Sequence, residues 1–181
     1  MEKRDMTWKT LESEYIIKRP WLTARRDKVQ LPTGAVHDEY YVLEYPDWVN
    51  VIAITDDGRF VFVRQYRHGL GETSYEICAG VMEPGEAPLD AMKRELEEET
   101  GYTGGEWRLL MQLTSNASTC TNMSYCFVAE GVTQTAMQHL DDTEDIEVHL
   151  FTEQEVRQML ADGVIKQSLM AAPLWRYFAE K

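Results

Sequence analysis

Residues 80–102 read GVMEPGEAPLDAMKRELEEETGY, and this segment constrains the fold more than any other part of the chain. Pro88 suits the first turn of a helix, where its missing N–H needs no partner. Gly101 suits the position just after the last turn. Three apolar side chains between them repeat at i, i+3 and i+7: Leu89, Met92 and Leu96. The segment therefore predicts one amphipathic helix whose apolar stripe packs against a core.

A second face of the same helix carries three carboxylates. Glu95, Glu98 and Glu99 stand at i, i+3 and i+4, so their side chains lie close together. Each pair of like charges at this spacing costs about 0.2–0.5 kcal/mol in an isolated helix, and a divalent cation removes that repulsion. Hard oxygen ligands in partial supply suit Mg²⁺, which keeps several waters. We therefore predict a metal site with Mg²⁺ as its ion and Mn²⁺ as a substitute.

An ordinary solvated helix is the alternative for any run of acidic residues, because most surface charge has no specific ligand. The loop before this helix favours a metal site instead. Gly80 and Gly85 allow the backbone of that loop to approach a metal ion or a phosphate closely. Glu97 is expected to be solvated and to take no part in the site.

The segment fits the pattern G-x5-E-x7-R-E-U-x-E-E-x-G-U, where U is a bulky apolar residue, and in this it resembles the signature of the Nudix hydrolases. The resemblance implies that the carbonyl of Ala79 binds metal beside the three glutamates. It also implies that Arg94 and Glu86 brace the loop against the helix. Gly80 and Gly101 would maintain the shape of the segment.

The stretch from Trp48 to Tyr66 holds the clearest pair of strands. Its two runs, WVNVIAIT and RFVFVRQY, are apolar and rich in β-branched residues, and Asp56-Asp57-Gly58 between them indicates a hairpin turn. Their nearly continuous apolar character predicts central strands covered on both faces. Shorter strands are predicted at 14–18, 24–31, 39–45, 75–79, 107–113, 125–129 and 146–151.

Two helices are predicted toward the C-terminus. Thr152 followed by Glu155 forms a capping box for a helix to about residue 161. A second helix is expected over 166–180, broken or kinked at Pro173. Together the elements predict an α/β (α+β) protein with a mixed β-sheet sandwiched between helices, which is the Nudix fold that the resemblance implies.

Charge and cysteine usage exclude some classes of function. A net charge of −13 argues against binding a nucleic-acid backbone, since phosphate contacts need Lys and Arg. Three cysteines without a C-x-x-C spacing, Cys78, Cys120 and Cys126, are typical of thiols in a reducing compartment. The chain has no apolar run long enough to span a membrane and no apolar signal segment. We therefore expect a cytoplasmic protein with no nucleic-acid or membrane partner.

Three further stretches resemble one branch of the family, the ADP-ribose pyrophosphatases and nucleoside diphosphate sugar hydrolases. Residues 64–67 (RQYR) resemble its Q-Y-R sequence, and residues 75–80 (YEICAG) resemble its E-I/V-x-A-G sequence. Residues 142–148 (DTEDIEV) resemble the acidic loop and strand of the bacterial enzymes. The resemblance implies Mg²⁺-dependent hydrolysis of the diphosphate bond of ADP-ribose or a related nucleotide sugar, giving a nucleoside monophosphate and a sugar phosphate.

In that branch a loop glutamate outside the signature activates the water, and Glu144 is the matching residue here. Glu98 or another helix carboxylate is its rival, because pocket geometry decides which group acts as the base. Arg94 completes the catalytic candidates.

In related enzymes the N-terminal strands cross to the other subunit, so the resemblance implies a homodimer. We expect a β-rich dimerisation extension over 1–45 and a hydrolase domain over 46–181.

Four residues outside the signature are candidates for binding the substrate. Arg67 suits phosphate, because a guanidinium fork matches its oxygens, although a salt bridge at the sheet edge is the alternative. Glu76 lies in the second resembling stretch. Trp48 and Trp21 suit stacking on a nucleobase, worth about 1–3 kcal/mol per base. A place in the core or in a dimer interface is the alternative for both tryptophans.

One position departs from the branch. ADP-ribose pyrophosphatases commonly carry a proline about sixteen residues beyond the last glycine of the signature, where this chain has Ala117. The polar loop around it, SNASTCTN, either binds a sugar or forms a turn. GDP-mannose, a dinucleotide and a nucleoside triphosphate are therefore alternative substrates. A sensor that binds a nucleotide sugar without cleaving it is the alternative of another class, and the complete signature favours an enzyme.

Overall fold

A computed structural model describes residues 3–181, which form two compact units. The first unit comprises the chain up to Pro46 together with Thr114–Asn122. The second comprises Asp47–Leu113 and Met123–Lys181. Within the described residues, none of the helices has the length and apolar character needed to span a membrane.

The first unit is built on a three-stranded antiparallel sheet. Its strands follow chain order: β1 (Lys9–Arg19), β2 (Leu22–Gln30) and β3 (Val36–Glu44). β1 lies at an edge and is exposed along its whole length. Leu43 links the distant loop Thr114–Asn122 to this sheet, because its N–H donates to Thr119 O at 2.7 Å and its carbonyl accepts from Thr121 N at 3.1 Å.

The second unit contains a seven-stranded sheet and three helices. Its elements are β4 (Trp48–Thr55), β5 (Phe60–Arg67), β6 (Glu72–Ile77), β7 (Ala79–Val81), α1 (Pro88–Thr100), β8 (Tyr102–Leu113), β9 (Ser124–Gln134), β10 (Glu147–Phe151), α2 (Glu153–Ala161) and α3 (Ser168–Ala179). The main order is β10-β5-β4-β9-β8, with β6 beside β5 and β7 beside β4. β4 and β9 run parallel, whereas β4 and β5 run antiparallel, so the sheet is mixed as predicted.

The central strand β4 is covered on both faces. Ile52 and Ile54 join the apolar cluster that contains residues of α2 and α3. Val49 and Val51, which alternate with them, join the cluster that contains Met92 and Leu96 of α1. Because neighbouring strand residues point to opposite faces, a continuous apolar run is what two covered faces require. The predicted central hairpin and the apolar stripe of α1 are both confirmed.

α3 runs unbroken through Pro173, which the sequence analysis expected to break or kink it. A proline has no N–H for the carbonyl four residues earlier, which here is Leu169 O. The buried Asn50 side chain of β4 supplies that hydrogen bond instead, with Nδ2 donating to Leu169 O at 3.0 Å. The helix therefore tolerates the proline because a neighbouring strand satisfies the carbonyl that it leaves free.

Candidate active site

Helix α1 starts and ends on the signals that its sequence carries. Pro88 occupies its first turn, and Ala87 caps it without a side-chain hydrogen bond. Gly101 ends it in the left-handed region, with φ of 73°. A Cβ at this position would also lie 2.2 Å from Ala136 O, so only glycine allows the following segment to close over the end of the helix.

Gly80 brings the backbone of β7 against the carboxylate of Glu95. A Cβ at Gly80 would lie 2.0 Å from Glu95 Cδ, which is well inside any allowed contact. Because Gly80 has no side chain, the Glu95 carboxylate packs directly against the backbone of β7. The first glycine of the signature therefore allows β7 and α1 to pack more closely than any residue with a side chain would.

Arg94 links the loop, the helix and two of its carboxylates. Its Nε and Nη2 donate to the two carboxylate oxygens of Glu86 at 3.0 and 3.1 Å. Nη2 also donates to Val81 O at 3.2 Å. Nη1 donates to Glu95 Oε1 at 2.9 Å and to Glu98 Oε2 at 3.0 Å. A single planar guanidinium thus fixes the loop before α1 against two acidic side chains on it.

Glu99 is the most enclosed carboxylate of the helix, with 4% of its surface exposed. Its Oε2 accepts from the Cys78 thiol at 2.8 Å and from the Ala79 N–H at 3.3 Å. The pKa of Glu99 is raised to about 7, chiefly by burial and also by the charges of Glu95 and Glu144, while the two hydrogen bonds oppose the rise. The structure therefore holds an acidic group where its negative charge is costly.

The pKa of the neighbouring Glu95 is raised for similar reasons. Burial is the largest cause that raises its pKa, and Glu98 and Glu144 add to the rise, while Arg94 opposes it. Glu144 therefore lies near enough to act electrostatically on both Glu95 and Glu99. Glu95, Glu98, Glu99 and the loop residue Glu144 therefore form one electrostatic cluster.

These residues fit a divalent cation. Within residues 3–181, no three Asp, Glu, His or Cys side chains already converge on one point to hold a metal. Arg94 instead pairs with Glu95 and Glu98, and Glu99 turns to the thiol and the amide. The donors are carboxylate oxygens, which hard divalent ions prefer. Burial first, and then the charges of neighbouring carboxylates, raises the pKa of Glu95 and of Glu99, so a nearby cation would stabilise their ionised forms.

The candidate base Glu144 lies on an exposed loop between β9 and β10. Its N–H donates to Asp141 O at 2.9 Å, and its Oε2 accepts from Asp141 N at 3.0 Å. This reciprocal pair closes a turn and orients the carboxylate. The rival base, Glu98, is half-buried and bound to Arg94.

Arg67 lies beside the cluster and is paired with a buried acid. Its Nε donates to Glu76 Oε1 at 2.9 Å, and Glu76 is 1% exposed, whereas 41% of the Arg67 side chain remains exposed. The hydrogen bonds that Arg67 donates to Glu76 are the largest cause that raises the pKa of Arg67, and the charge of Glu99 contributes as well. Arg67 is therefore a cation held next to the acidic helix with part of its surface open.

The remaining candidates have different settings. Trp48 begins β4 in the second unit and is half-buried, whereas Trp21 lies in the β1–β2 turn of the first unit and is 81% exposed. The loop around Ala117 forms a turn, because Ser118 N donates to Asn116 Oδ1 and the N–H of Cys120 donates to Asn116 O. The turn alternative of the sequence analysis is therefore the conformation observed.

Sequence reasoning missed two polar contacts of the site. Cys78 was expected only to be a buried or spare thiol, and its hydrogen bond to Glu99 was not predicted. Its position directly before Ala79 in the E-I/V-x-A-G stretch is the signal that could have found it. Gln138 donates to Glu99 O at 2.7 Å, and no local pattern marks it.

Known proteins resemble this chain over most of its length. Residues 44–171 match the NUDIX domain, and residues 8–43 match the nucleoside diphosphate sugar hydrolase N-terminal domain. A methanol dehydrogenase activator of Bacillus methanolicus is 32% identical over 161 residues, which cover 88% of this chain and 86% of that protein. An ADP-ribose pyrophosphatase of Bacillus subtilis (strain 168) is 33% identical over 141 residues, which cover 77% of this chain and 76% of that protein.

A solved structure described as an ADP compounds hydrolase has the same fold. It superimposes with a TM-score of 0.86 over 99% of this chain and 96% of its own, at 19% sequence identity. The NUDIX match, together with the acidic helix, places this chain in a class of hydrolases that generally use a divalent metal ion. The chain belongs to the Nudix family and is a Nudix pyrophosphohydrolase. The family, the fold and the enzyme class predicted from the sequence are confirmed.

Proposed function

We propose that the protein hydrolyses the diphosphate bond of ADP-ribose or a related nucleoside diphosphate sugar with Mg²⁺ as its ion. The observation that carries this proposal is the buried Glu99 beside Glu95, at the point where β7 touches α1. The name of the Bacillus subtilis relative and the match of residues 8–43 to a nucleoside diphosphate sugar hydrolase domain support the substrate class. The products would be a nucleoside monophosphate and a sugar phosphate.

The metal site is assigned to Glu95, Glu98, Glu99 and the carbonyl of Ala79. When bound, Mg²⁺ supplies neutralisation of the diphosphate oxygens and polarisation of the attacking water. Glu99 is suited to hold a cation because burial and two short-range donors fix its carboxylate. Arg94 is assigned the role of holding Glu95 and Glu98 at a set distance from the loop.

The reaction itself is a displacement at phosphorus. The water oxygen forms a bond to one phosphorus of the diphosphate, and the bond from that phosphorus to the bridging oxygen breaks. Glu144 accepts the proton of the water, and the bridging oxygen leaves on the other phosphate. Glu144 suits this role because it acts on Glu95 and Glu99 electrostatically while its carboxylate is exposed to solvent.

Arg67 is assigned to the phosphates of the substrate. The buried Glu76 fixes the orientation of the Arg67 guanidinium and stabilises its charge. The exposed part of the guanidinium is available to bind an anion. Trp48 and Trp21 are assigned to the nucleobase, since aromatic faces stack on any base.

We further propose a cytoplasmic homodimer joined through the first unit. β1 and the residues next to it expose large apolar side chains that a soluble surface rarely collects in one short segment: Trp8, Leu11, Tyr15, Ile16, Ile17 and Trp21. An edge strand of this kind is covered in most proteins. Three free cysteines, two of them buried, suit a reducing compartment.

GDP-mannose is the second candidate substrate, because Ala117 stands where ADP-ribose pyrophosphatases commonly carry a proline. A panel of ADP-ribose, GDP-mannose and dGTP with Mg²⁺ or Mn²⁺, with products identified by mass, tests both. We expect AMP and ribose 5-phosphate from ADP-ribose. Fastest turnover of GDP-mannose would move the assignment to the second candidate. Tight binding of a nucleotide sugar with no product from any substrate would establish the sensor alternative instead.

A further inference from the structure

The side chain of Gln138 connects the acidic loop to the end of helix α1. Its Nε2 donates to Glu99 O at 2.7 Å and to Ile146 O at 3.1 Å. Both acceptors are carbonyl oxygens, so the amide nitrogen and not its oxygen faces them, and both N–H groups are used. One acceptor lies in the last turn of α1, and the other lies just beyond the acidic loop.

The start of the loop is bound to α1 by its backbone as well. The His139 N–H donates to Glu98 O at 2.8 Å, and the Thr135 N–H donates to Gly101 O at 2.9 Å. Glu98 O is one of the last four carbonyls of α1, which have no partner within the helix, and Gly101 follows the helix directly. The far end of the loop is linked to α1 through a side chain, because Gln138 donates to both Ile146 O and Glu99 O. Ile146 itself is buried.

Between these two ends the loop has little else to hold it. Among the described residues, the hydrogen bonds of positions 141–145 are made within the loop, by Glu144 and Asp141 to each other. Its side chains are exposed. The position of Glu144 relative to α1 therefore depends on how the loop is closed at its base.

We propose that Gln138 is a positioning residue, which closes the acidic loop on the C-terminal turn of α1 and so sets Glu144 opposite Glu95 and Glu99. This inference rests on the proposed function, in which Glu144 accepts the proton of water. A displaced loop would leave the metal ligands in place and move only the base. The expected defect is therefore in turnover and not in substrate or metal binding.

Gln138→Met is the direct test, because methionine keeps the length of the side chain and removes both donors. Gln138 is exposed, so the variant leaves no cavity in the core. Gln134→Met is the matched control, since Gln134 is also exposed, lies on the adjoining β9 and makes no side-chain hydrogen bond within residues 3–181. We expect kcat for ADP-ribose with Mg²⁺ to fall about tenfold in Gln138→Met, with KM and the affinity for Mn²⁺ within about twofold. The control keeps its kcat.

Hydrogen exchange without metal gives a readout that does not depend on activity. The amides of residues 139–146 should exchange faster in Gln138→Met than in the control. A double variant with Glu144→Gln completes the test. If Gln138 acts through Glu144, then Gln138→Met causes no further loss of kcat once Glu144 is replaced.

The outcomes separate the two proposals. The positioning role of Gln138 is overturned if Gln138→Met lowers kcat by the same factor in the wild-type and Glu144→Gln backgrounds. It is also overturned if the amides of residues 139–146 exchange at an unchanged rate. Neither result contradicts the assignment of Glu144 as the base. Full activity of Glu144→Gln overturns the assignment of Glu144 as the base. It also overturns the proposal that Gln138 serves catalysis by positioning Glu144. A rise in KM or a loss of Mn²⁺ affinity alone, with kcat unchanged, assigns Gln138 to the shape of α1 and also overturns the proposal.

Discussion

Two acidic regions of this molecule, residues 95–99 of α1 and residues 141–145 of the loop, carry similar charge and are held in opposite ways. In α1 the carboxylates meet Arg94, the Cys78 thiol and the bare backbone of Gly80. In the loop the side chains are exposed, and the described hydrogen bonds stay within it. The two regions differ in their partners and not in their charge, and the proposed metal site lies in the region where the carboxylates have fixed partners.

The largest effect is expected from Glu99→Gln, because Glu99 is the best-fixed carboxylate. Glutamine keeps the size and an acceptor for Cys78 and Ala79, so the fold should survive, while turnover should fall about 10²- to 10³-fold. Steady-state kinetics at saturating Mg²⁺ and circular dichroism measure both. Glu97→Gln, an exposed position of the same helix, serves as control. Equal turnover in Glu99→Gln and wild type would refute the metal role.

Gly80→Ala should act nearly as strongly through geometry alone. The new Cβ would occupy the space of the Glu95 carboxylate, so the side chain must leave, and we expect about a 10²-fold loss of kcat. Thermal unfolding should also show about 1–3 kcal/mol of destabilisation from the forced shift. The control is Gly69→Ala, where a Cβ meets nothing within 4 Å. If both variants behave alike, then the close approach of β7 to α1 does not matter for catalysis.

Arg94→Lys should have a smaller effect. Lysine keeps the positive charge but cannot reproduce the two parallel bonds to Glu86 and the bonds to both helix carboxylates. We expect kcat to fall about tenfold and the Mg²⁺ concentration for half-maximal activity to rise. Arg157→Lys, which alters an exposed i, i+4 pair on α2, is the control. Unchanged kinetics would mean that charge alone suffices at position 94.

The smallest effect on turnover is expected from a fixed polar group outside the site. Asn50→Ala removes the donor to Leu169 O and should lower the free energy of unfolding by about 1–3 kcal/mol without changing kcat. Pro173→Ala restores the N–H that the helix lacks. In the Pro173→Ala background the cost of Asn50→Ala should therefore shrink. Equal costs in both backgrounds, measured by urea unfolding, would contradict the compensation.

The sequence predicted α1 and its carboxylates because their signals are local. Proline, glycine and the i, i+3, i+4 spacing lie within one segment, and helix geometry places them without reference to the rest of the chain. The central hairpin followed for the same reason. Arg94 and Glu86, eight positions apart across a loop, needed the resemblance to be paired.

The parts that sequence reasoning missed depend on distant contacts. β8 begins at Tyr102, ahead of the strand predicted at 107–113, and it includes Gly104, which has a positive φ and pairs with Val132 of β9. The loop Thr114–Asn122 joins the first unit through Leu43, which no local pattern indicates. Gln138 binds two carbonyls that become neighbours only in the folded chain.

The most direct test of the account is the position of a bound divalent ion. Crystals soaked with Mn²⁺ and a non-hydrolysable analogue of ADP-ribose would show the ion by its anomalous scattering. We predict a peak within coordinating distance of the carboxylates of Glu95, Glu98 and Glu99, about 2.0–2.2 Å from their oxygens for a small hard cation. A bound analogue with no peak beside these three side chains would contradict the account.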